Sequence, residues 1–285
     1  MGVAPDRGRR EPAISVATPG ADPPDVSIVV AAYNEEALLP RCLDAIAALD
    51  GPARYEVIVV DNGSTDRTAE LARARPGVTV VREEARGAVH AKAAGVAAAR
   101  GAIVAILDAD SICPPGWLTA IVARFAADPS LAGLSGPARY LDGPFWAPII
   151  VWVWYAWWQL LSWLRGRAVY AVGSNVAFRR ELYARSPGLD TRVLVGGDEV
   201  ALFSALARVG RTRFDWRLVV ETDARRLRMG FLRFSFSVVF LQYALNYTYF
   251  VLTGRSLLRR YAPGSTLAQS SPRSSRSTTR PTHLL

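Results

Sequence analysis

The stretch AIVAILDADS, residues 102–111, opens with six apolar residues, three of them β-branched, and then turns abruptly to two aspartates one residue apart. A continuous apolar run, rather than one alternating with polar residues, predicts a strand buried on both faces, as the strands of parallel sheets are. The paired acids pose a separate question. Two carboxylates this close repel each other unless water screens them or a cation sits between them, so Asp108 and Asp110 mark either a solvated turn or a cation site.

Upstream, the same plan repeats. VSIVVAAYNEE (26–36) is an apolar strand broken at Tyr33-Asn34, and Leu38, Leu39, Cys42, Leu43 and Ile46 follow at helical spacing. YEVIVVDNGSTDRTAELARA (55–74) reads as strand, Asp-Asn-Gly turn and helix, with Ser64 or Thr65 placed to cap the helix. VTVVRE (78–83) supplies a further strand and AVHAKAAGVAAAR (88–100) an alanine-rich helix. Strands and helices in alternation predict an α/β fold, a mostly parallel central sheet with helices on both faces. In such sheets ligands bind at the carboxyl ends of the strands. Tyr33-Asn34-Glu35, Asp61-Asn62-Gly63-Ser64 and Asp108-Ala109-Asp110 all fall at those ends. Any one of them is what turns usually look like, but three on one sheet edge predict a binding crevice.

Composition bounds the partners. The chain has 285 residues, 51% of them hydrophobic, with a net charge of +9 and a pI near 10.0. That charge suits a nucleotide, a nucleic acid or the inner leaflet of a membrane. Cys42 and Cys113 lie in no metal-binding or redox spacing and read as small apolar fillers of a cytoplasmic, disulfide-free protein. Residues 1–25 lack an apolar core of signal-peptide length and residues 261–285 are rich in Ser, Thr, Pro and Arg, so both predict disordered ends.

Taken together, VSIVVAAYNEE, VIVVDNGSTDRT, RGAVHAKAAGVAAARGAIVAILDADS, GSNVAFRR and GGDEVALFSALARVGR resemble the motifs of the family 2 glycosyltransferases, which have the GT-A fold. The resemblance covers roughly residues 26–222 and implies transfer of a sugar from a nucleoside-diphosphate sugar to an acceptor, with inversion at the anomeric carbon. It implies that Asp110 ligates Mg²⁺ or Mn²⁺ on the diphosphate while Asp108 sits nearer the ribose. It places Asp61, Tyr33 and Glu35 around the base and ribose, and Lys92 where the family usually directs an arginine toward the nucleotide. Asn62 stands where the family has a second acid, which leaves the nucleotide preference open. Ala93 stands where the family has an asparagine.

An inverting transferase also needs a carboxylate to take the acceptor's proton. In the family motif Gly-Glu-Asp-x-x-Leu the second acid is that base. Here the order is inverted, so Glu199 takes the base position and Asp198 its neighbour; a shift of one residue would exchange them. VGSNVAFRR (172–180) resembles the segment lining the acceptor side, with Arg179 and Arg180 free to meet phosphate or to start a helix. No Gln-x-x-Arg-Trp motif follows residue 199, which predicts transfer of a single sugar rather than processive synthesis.

Two uncharged stretches exceed what a soluble transferase needs. Residues 145–164 hold six of the eight tryptophans, and residues 234–253 lie within a basic and apolar segment, 223–260, flanked by arginines. A single crossing by the first would separate the acidic pair from the base, so it predicts an element lying in the membrane interface, or else a buried helix. The second is long enough to span. Both predict apolar, membrane-associating helices, the second at the C-terminal end, at the cytoplasmic face of a membrane, with a lipid, lipid-linked or glycan acceptor. Oligomeric state is not legible. Two rival readings are a non-catalytic, membrane-bound nucleotide-sugar scaffold and a sugar nucleotidyltransferase. The second wants a Gly-rich basic loop where this chain has Ala-Ala-Tyr-Asn-Glu. No nucleic-acid-binding module is present.

Overall fold

A computed structural model describes residues 22–51, 53–168, 170–192, 197–225, 227–229 and 249. Its elements in chain order are β1 (Val26–Ala32), α1 (Leu39–Ala47), β2 (Tyr55–Asp61), α2 (Thr68–Arg73), β3 (Val78–Arg82), α3 (Ala88–Ala98), β4 (Ile103–Asp108) and β5 (Ser111–Ile112). They continue with α4 (Trp117–Ala127), β6 (Leu131–Ser135), β7 (Ala138–Leu141), α5 (Ala147–Leu164), β8 (Val176–Arg179), α6 (Arg180–Ala184), α7 (Asp198–Leu206), β9 (Arg211–Phe214) and β10 (Val220–Asp223), followed by a 3₁₀ turn at Leu227–Met229.

Seven strands form the main sheet in the order β3-β2-β1-β4-β8-β6-β9. The first four are mutually parallel, β8 runs against both β4 and β6, and β9 is again parallel to β6. Successive residues of each strand face opposite sides. Ile28 and Val30 pack with Leu39 and Cys42 of α1 and Trp117 and Ile121 of α4. Val29, between them, joins Val89 and Val96 of α3 and Leu202 and Phe203 of α7 on the other side. This two-sided burial is why the strands read as unbroken apolar runs. Both cysteines are free and buried, as fillers of that core should be.

Register places the polar strand ends together. Ala32 pairs with Asp61, Ala31 with Asp108, and Asp61 in turn with Arg82. The ends of β1, β2, β3 and β4 thus form one edge. A second sheet, β5-β10-β7, lies beside it: Thr222 of β10 pairs with Ser111, the residue after Asp110. The folded unit therefore extends past residue 222, and Ala224 and Leu227 are fully buried.

One local expectation changes, and one pair of alternatives is decided. Ser64 and Thr65 do not cap α2, whose first turn is instead met by Asp66 Oδ1 accepting from Thr68 N at 3.0 Å. Of the two readings of Arg179 and Arg180, the start of a helix holds: α6 begins at Arg180 with Arg179 at its N-cap. Arg179 Nε donates to the Leu131 carbonyl at 3.1 Å and its Nη2 to the Asp128 carbonyl beyond α4 at 3.2 Å, while Arg180 Nε donates to Gly101 O at 2.9 Å. Backbone acceptors left over at strand and helix ends hold both side chains.

Residues 147–164 are one helix, α5, with two unlike faces. On the inner face Tyr155 is 5% exposed, and its hydroxyl accepts from Ala138 N at 3.0 Å and donates to Ala138 O at 3.3 Å. On the outer face Trp152, Trp157 and Trp163 are 61%, 55% and 77% exposed. Among the described residues no helix is long and apolar enough to cross a membrane. The segment predicted at 234–253 lies, except for Tyr249, outside the described residues.

Candidate active site

The turn after β1 is fixed by Asn34, which takes a left-handed conformation (φ 53°) that asparagine tolerates better than most residues. Its Oδ1 accepts from Thr65 N at 2.8 Å and its own N–H donates to Ser64 Oγ at 3.0 Å. The first two polar turns are therefore stapled together. Beside them Arg86 lies over the Tyr33 ring, 4.8 Å from its centroid.

Asp61 is fully buried, accepting from Ser64 N at 3.0 Å and Arg82 Nη1 at 3.1 Å. Asn62 is buried and shapes the neighbouring loop. Its Nδ2 donates to the carbonyls of Glu83 and Ala85 at 3.1 and 2.7 Å, and its Oδ1 accepts from Gly87 N at 2.8 Å. Both amide hydrogens are spent on the loop between β3 and α3, which the amide shapes from inside. A carboxylate could not replace it there, having no hydrogen to donate.

Lys92, on α3, is 4% exposed. Its Nζ donates to Asp198 Oδ2 at 3.4 Å and lies 3.9 Å from Asp108 Oδ1. Lys92 is therefore a counterion shared by the two motifs. Burial works against the ammonium, but Asp198, Asp108 and Glu199 outweigh it and hold its pKa above the ordinary lysine range.

Gly197, in a left-handed conformation (φ 94°), turns the chain into α7 and puts both acids in the helix's first turn. Glu199 reaches across to Gly173. A Cβ at residue 173 would stand 2.3 Å from Glu199 Oε1 and 2.9 Å from Lys92 Nζ, so only glycine leaves room for the carboxylate and ammonium together. Glu199 Oε2 is buried without a hydrogen-bond partner among the described residues. Burial first, and then the charge of Asp198, push the Glu199 carboxyl well above the ordinary carboxylate range, against the pull of Lys92.

Glu35 and Asp110 meet through a residue that sequence reading left in the basic flank of the apolar segment. Arg225 Nη1 donates to Glu35 Oε2 at 2.8 Å, its Nη2 also donates to Glu35 Oε1, and Nη2 reaches Asp110 Oδ2 at 3.0 Å. Arg82 and Arg86 were likewise not singled out. Arg82 follows from the strand register once β3 is paired with β2, whereas Arg225, 115 residues from Asp110, carries no local signal.

The carboxylates fit a divalent cation of the hard, oxygen-seeking kind. Among the described residues no three His, Cys, Asp or Glu side chains form a cage for one. Asp108 and Asp110, each within salt-bridge distance of a side-chain cation, instead offer the one or two protein oxygens that Mg²⁺ or Mn²⁺ takes when phosphate supplies the rest.

Comparison with known proteins bears on this edge directly. Residues 27–186 match the sequence model of glycosyl transferase family 2. The chain belongs to that family. The match contains Tyr33, Asp61, Lys92, Asp108 and Asp110, and stops short of Asp198, Glu199 and Arg225. This glycosyltransferase is 37% identical over 202 residues to an uncharacterised glycosyltransferase of Mycobacterium tuberculosis, covering 70% of this chain and 83% of the relative. It is 39% identical over 116 residues to an undecaprenyl-phosphate 4-deoxy-4-formamido-L-arabinose transferase of Pseudomonas aeruginosa, covering 38% of this chain and 34% of that one. Among solved structures, a Pyrobaculum calidifontis mannosyltransferase in complex with GDP-Man and Mn²⁺ superposes with a TM-score of 0.57 at 29% identity, over 74% of this chain and 60% of the mannosyltransferase. The fold, an α/β unit on a mostly parallel sheet, is thus shared with GT-A glycosyltransferases.

Proposed function

We propose that the glycosyltransferase moves a single sugar from a nucleoside-diphosphate sugar to a hydroxyl acceptor, with inversion at the anomeric carbon. One observation carries this reading: Lys92 joins Asp108, at the nucleotide edge, to Asp198, beside the candidate base, so a leaving-group handle and a proton acceptor face one crevice. The mannosyltransferase with GDP-Man and Mn²⁺ supports a nucleotide-sugar donor held with a divalent metal, Mg²⁺ or Mn²⁺.

In this reading Asp61, Tyr33, Arg82 and Arg86 line the base and ribose end. Asp110 and Asp108 would hold the cation, which when bound would supply positive charge against the departing diphosphate. Glu199, on the far side, takes the proton from the acceptor hydroxyl as the oxygen attacks the anomeric carbon. A carboxyl held above its ordinary range is a stronger base than an exposed one and suits that transfer near neutral pH. Lys92 pairs with Asp198 as well as with Asp108 and so fixes the distance between the two halves of the site. Gly173 leaves room for the Glu199 carboxylate and the Lys92 ammonium side by side.

The acceptor side also bears on where the reaction occurs. The outer tryptophans of α5, followed by Arg165 and Arg167, suit the headgroup region of an anionic membrane surface. We place the enzyme at the cytoplasmic face of a membrane, with a lipid or lipid-linked acceptor. The arabinose transferase relative, named for its undecaprenyl-phosphate substrate, supports that class.

Thermal stabilisation by UDP, GDP, TDP and CDP, with and without Mn²⁺, tests the donor site without knowledge of the acceptor. One nucleotide should raise the melting temperature of the wild type in a metal-dependent way, and Asp110→Asn should lose the effect. No shift with any nucleotide would overturn the donor-site reading, and with it both the transferase and the nucleotide-sugar scaffold.

A further inference from the structure

Arg225 is the side chain that the proposed chemistry does not yet use, although it touches the most important acid of the donor edge. Its guanidinium is held on two sides, by both oxygens of Glu35 and by Asp110 Oδ2 at 3.0 Å. Its backbone is held to the same loop. Arg225 N donates to Asp223 Oδ1 at 2.8 Å, Asp223 N donates to Asp110 O at 3.3 Å, and Thr222 Oγ1 donates to Asp110 Oδ1 at 3.3 Å. The backbones of the arginine and the acid are thus anchored at adjoining ends of paired strands, β10 and β5. One nitrogen remains without a partner: Arg225 Nε is buried and has no hydrogen bond among the described residues.

An arginine that merely stapled β10 to Glu35 would need no second carboxylate, and no buried nitrogen left over. Asp110 cannot serve a guanidinium and a divalent cation at full strength together, because two cations within a few ångströms of one carboxylate repel each other. A diphosphate changes the balance. It brings several negative oxygens, and the planar fork of a guanidinium matches phosphate geometry with two parallel donors, for which Nε and one Nη are the natural pair.

We propose that Arg225 is a tethered cation that occupies Asp110 in the ligand-free enzyme and passes to the donor's diphosphate when metal and nucleotide arrive together. This rests on the donor-site reading above and adds an order to it. Metal alone binds poorly, because Arg225 competes for the same oxygen. Nucleotide and metal bind as one, because the diphosphate draws the arginine away as the cation takes its place. Arg225 is a positioning residue for the donor: it determines that the acid accepts a metal only when a leaving group accompanies it.

The test is Mn²⁺ binding, read as loss of the electron paramagnetic resonance signal of free Mn²⁺, for wild type, Arg225→Gln and Arg225→Lys, alone and with UDP or GDP. Removing one charge beside a ligand shifts such equilibria by roughly tenfold or more. Arg225→Gln should bind Mn²⁺ alone about tenfold more tightly than the wild type and bind Mn²⁺ with nucleotide about tenfold more weakly. Arg225→Lys keeps the charge and loses the fork. It should retain the weak binding of Mn²⁺ alone and still lose affinity for the nucleotide complex, which keeps the proposal open to test should the glutamine variant fail to fold. Unchanged Mn²⁺ affinity in a folded Arg225→Gln, or wild-type behaviour throughout in Arg225→Lys, would overturn the exchange and leave Arg225 a staple. If neither the wild type nor the variants bind Mn²⁺ with any nucleotide, the donor-site reading itself falls, and the exchange with it.

Discussion

Lys92 and Asp198, 106 residues apart in sequence, form an enclosed ion pair with Nζ 3.4 Å from Oδ2. Removing one partner of such a pair leaves an uncompensated buried charge, at a cost of about 3–5 kcal/mol. Lys92→Met should lose stability on that scale in urea titration and lose sugar transfer with it. A loss under about 1 kcal/mol would mean that Asp198 finds water or another partner, and that Lys92 is no keystone.

The two acids of α7 separate by their partners. Glu199→Gln should lower kcat by roughly 10²- to 10⁴-fold, the usual contribution of a general base. Asp198→Asn should chiefly lower stability. The Glu199 carboxyl is pushed from an ordinary 4.5 up to about 8, so the acid limb of kcat/KM should lie near the upper value. The same shift fixes a stability trend. Between these two values the native state holds a proton that the unfolded chain has lost, so stability falls as pH rises through the window. Melting curves of Glu199→Gln should not show that fall. Full activity in Glu199→Gln would transfer the role of base to Asp198.

Asn62→Asp restores the acid usual in this family, yet it should harm this protein. Two amide hydrogens now given to Glu83 O and Ala85 O would be replaced by lone pairs facing the same carbonyls. A loss of about 1–3 kcal/mol is expected, together with weaker nucleotide binding as the loop carrying Arg86 loosens. Equal melting temperatures for Asn62→Asp and the wild type would show that the loop is held by other means.

The outer face of α5 gives a prediction independent of chemistry. Trp157→Glu with Trp163→Glu should reduce co-sedimentation with anionic vesicles by about tenfold or more, since each change removes apolar area and adds repulsion. The melting temperature should move little, because both side chains are mostly exposed. Undiminished sedimentation would assign membrane contact elsewhere.

Much of the donor edge was legible because it depends on local pattern. Apolar runs placed β1, β2 and β4, and the polar residues that end them mark the sheet edge whatever the later topology. Residues that act through long-range pairing were not legible. Lys92 sits on a helix whose alanine-rich sequence does not say that its ammonium is shared between motifs, and nothing near Asn62 says that a loop 21 to 25 residues away takes its amide. The reversed strand β8 had no signal of its own either, since an antiparallel strand buried on both faces has the composition of a parallel one.

The clasp of Arg225 on Asp110 and Glu35 also has a consequence for synthesis. These acids leave the ribosome 115 and 190 residues before the arginine that joins them. At 5–20 residues per second that interval is roughly 6 to 40 seconds. Through it the nascent sheet carries its negative edge toward solution, and the strand that completes the edge is the last of the described strands to be made. A ribosome that stalls before codon 225 would release a chain with its central strands formed and its donor edge still unfinished.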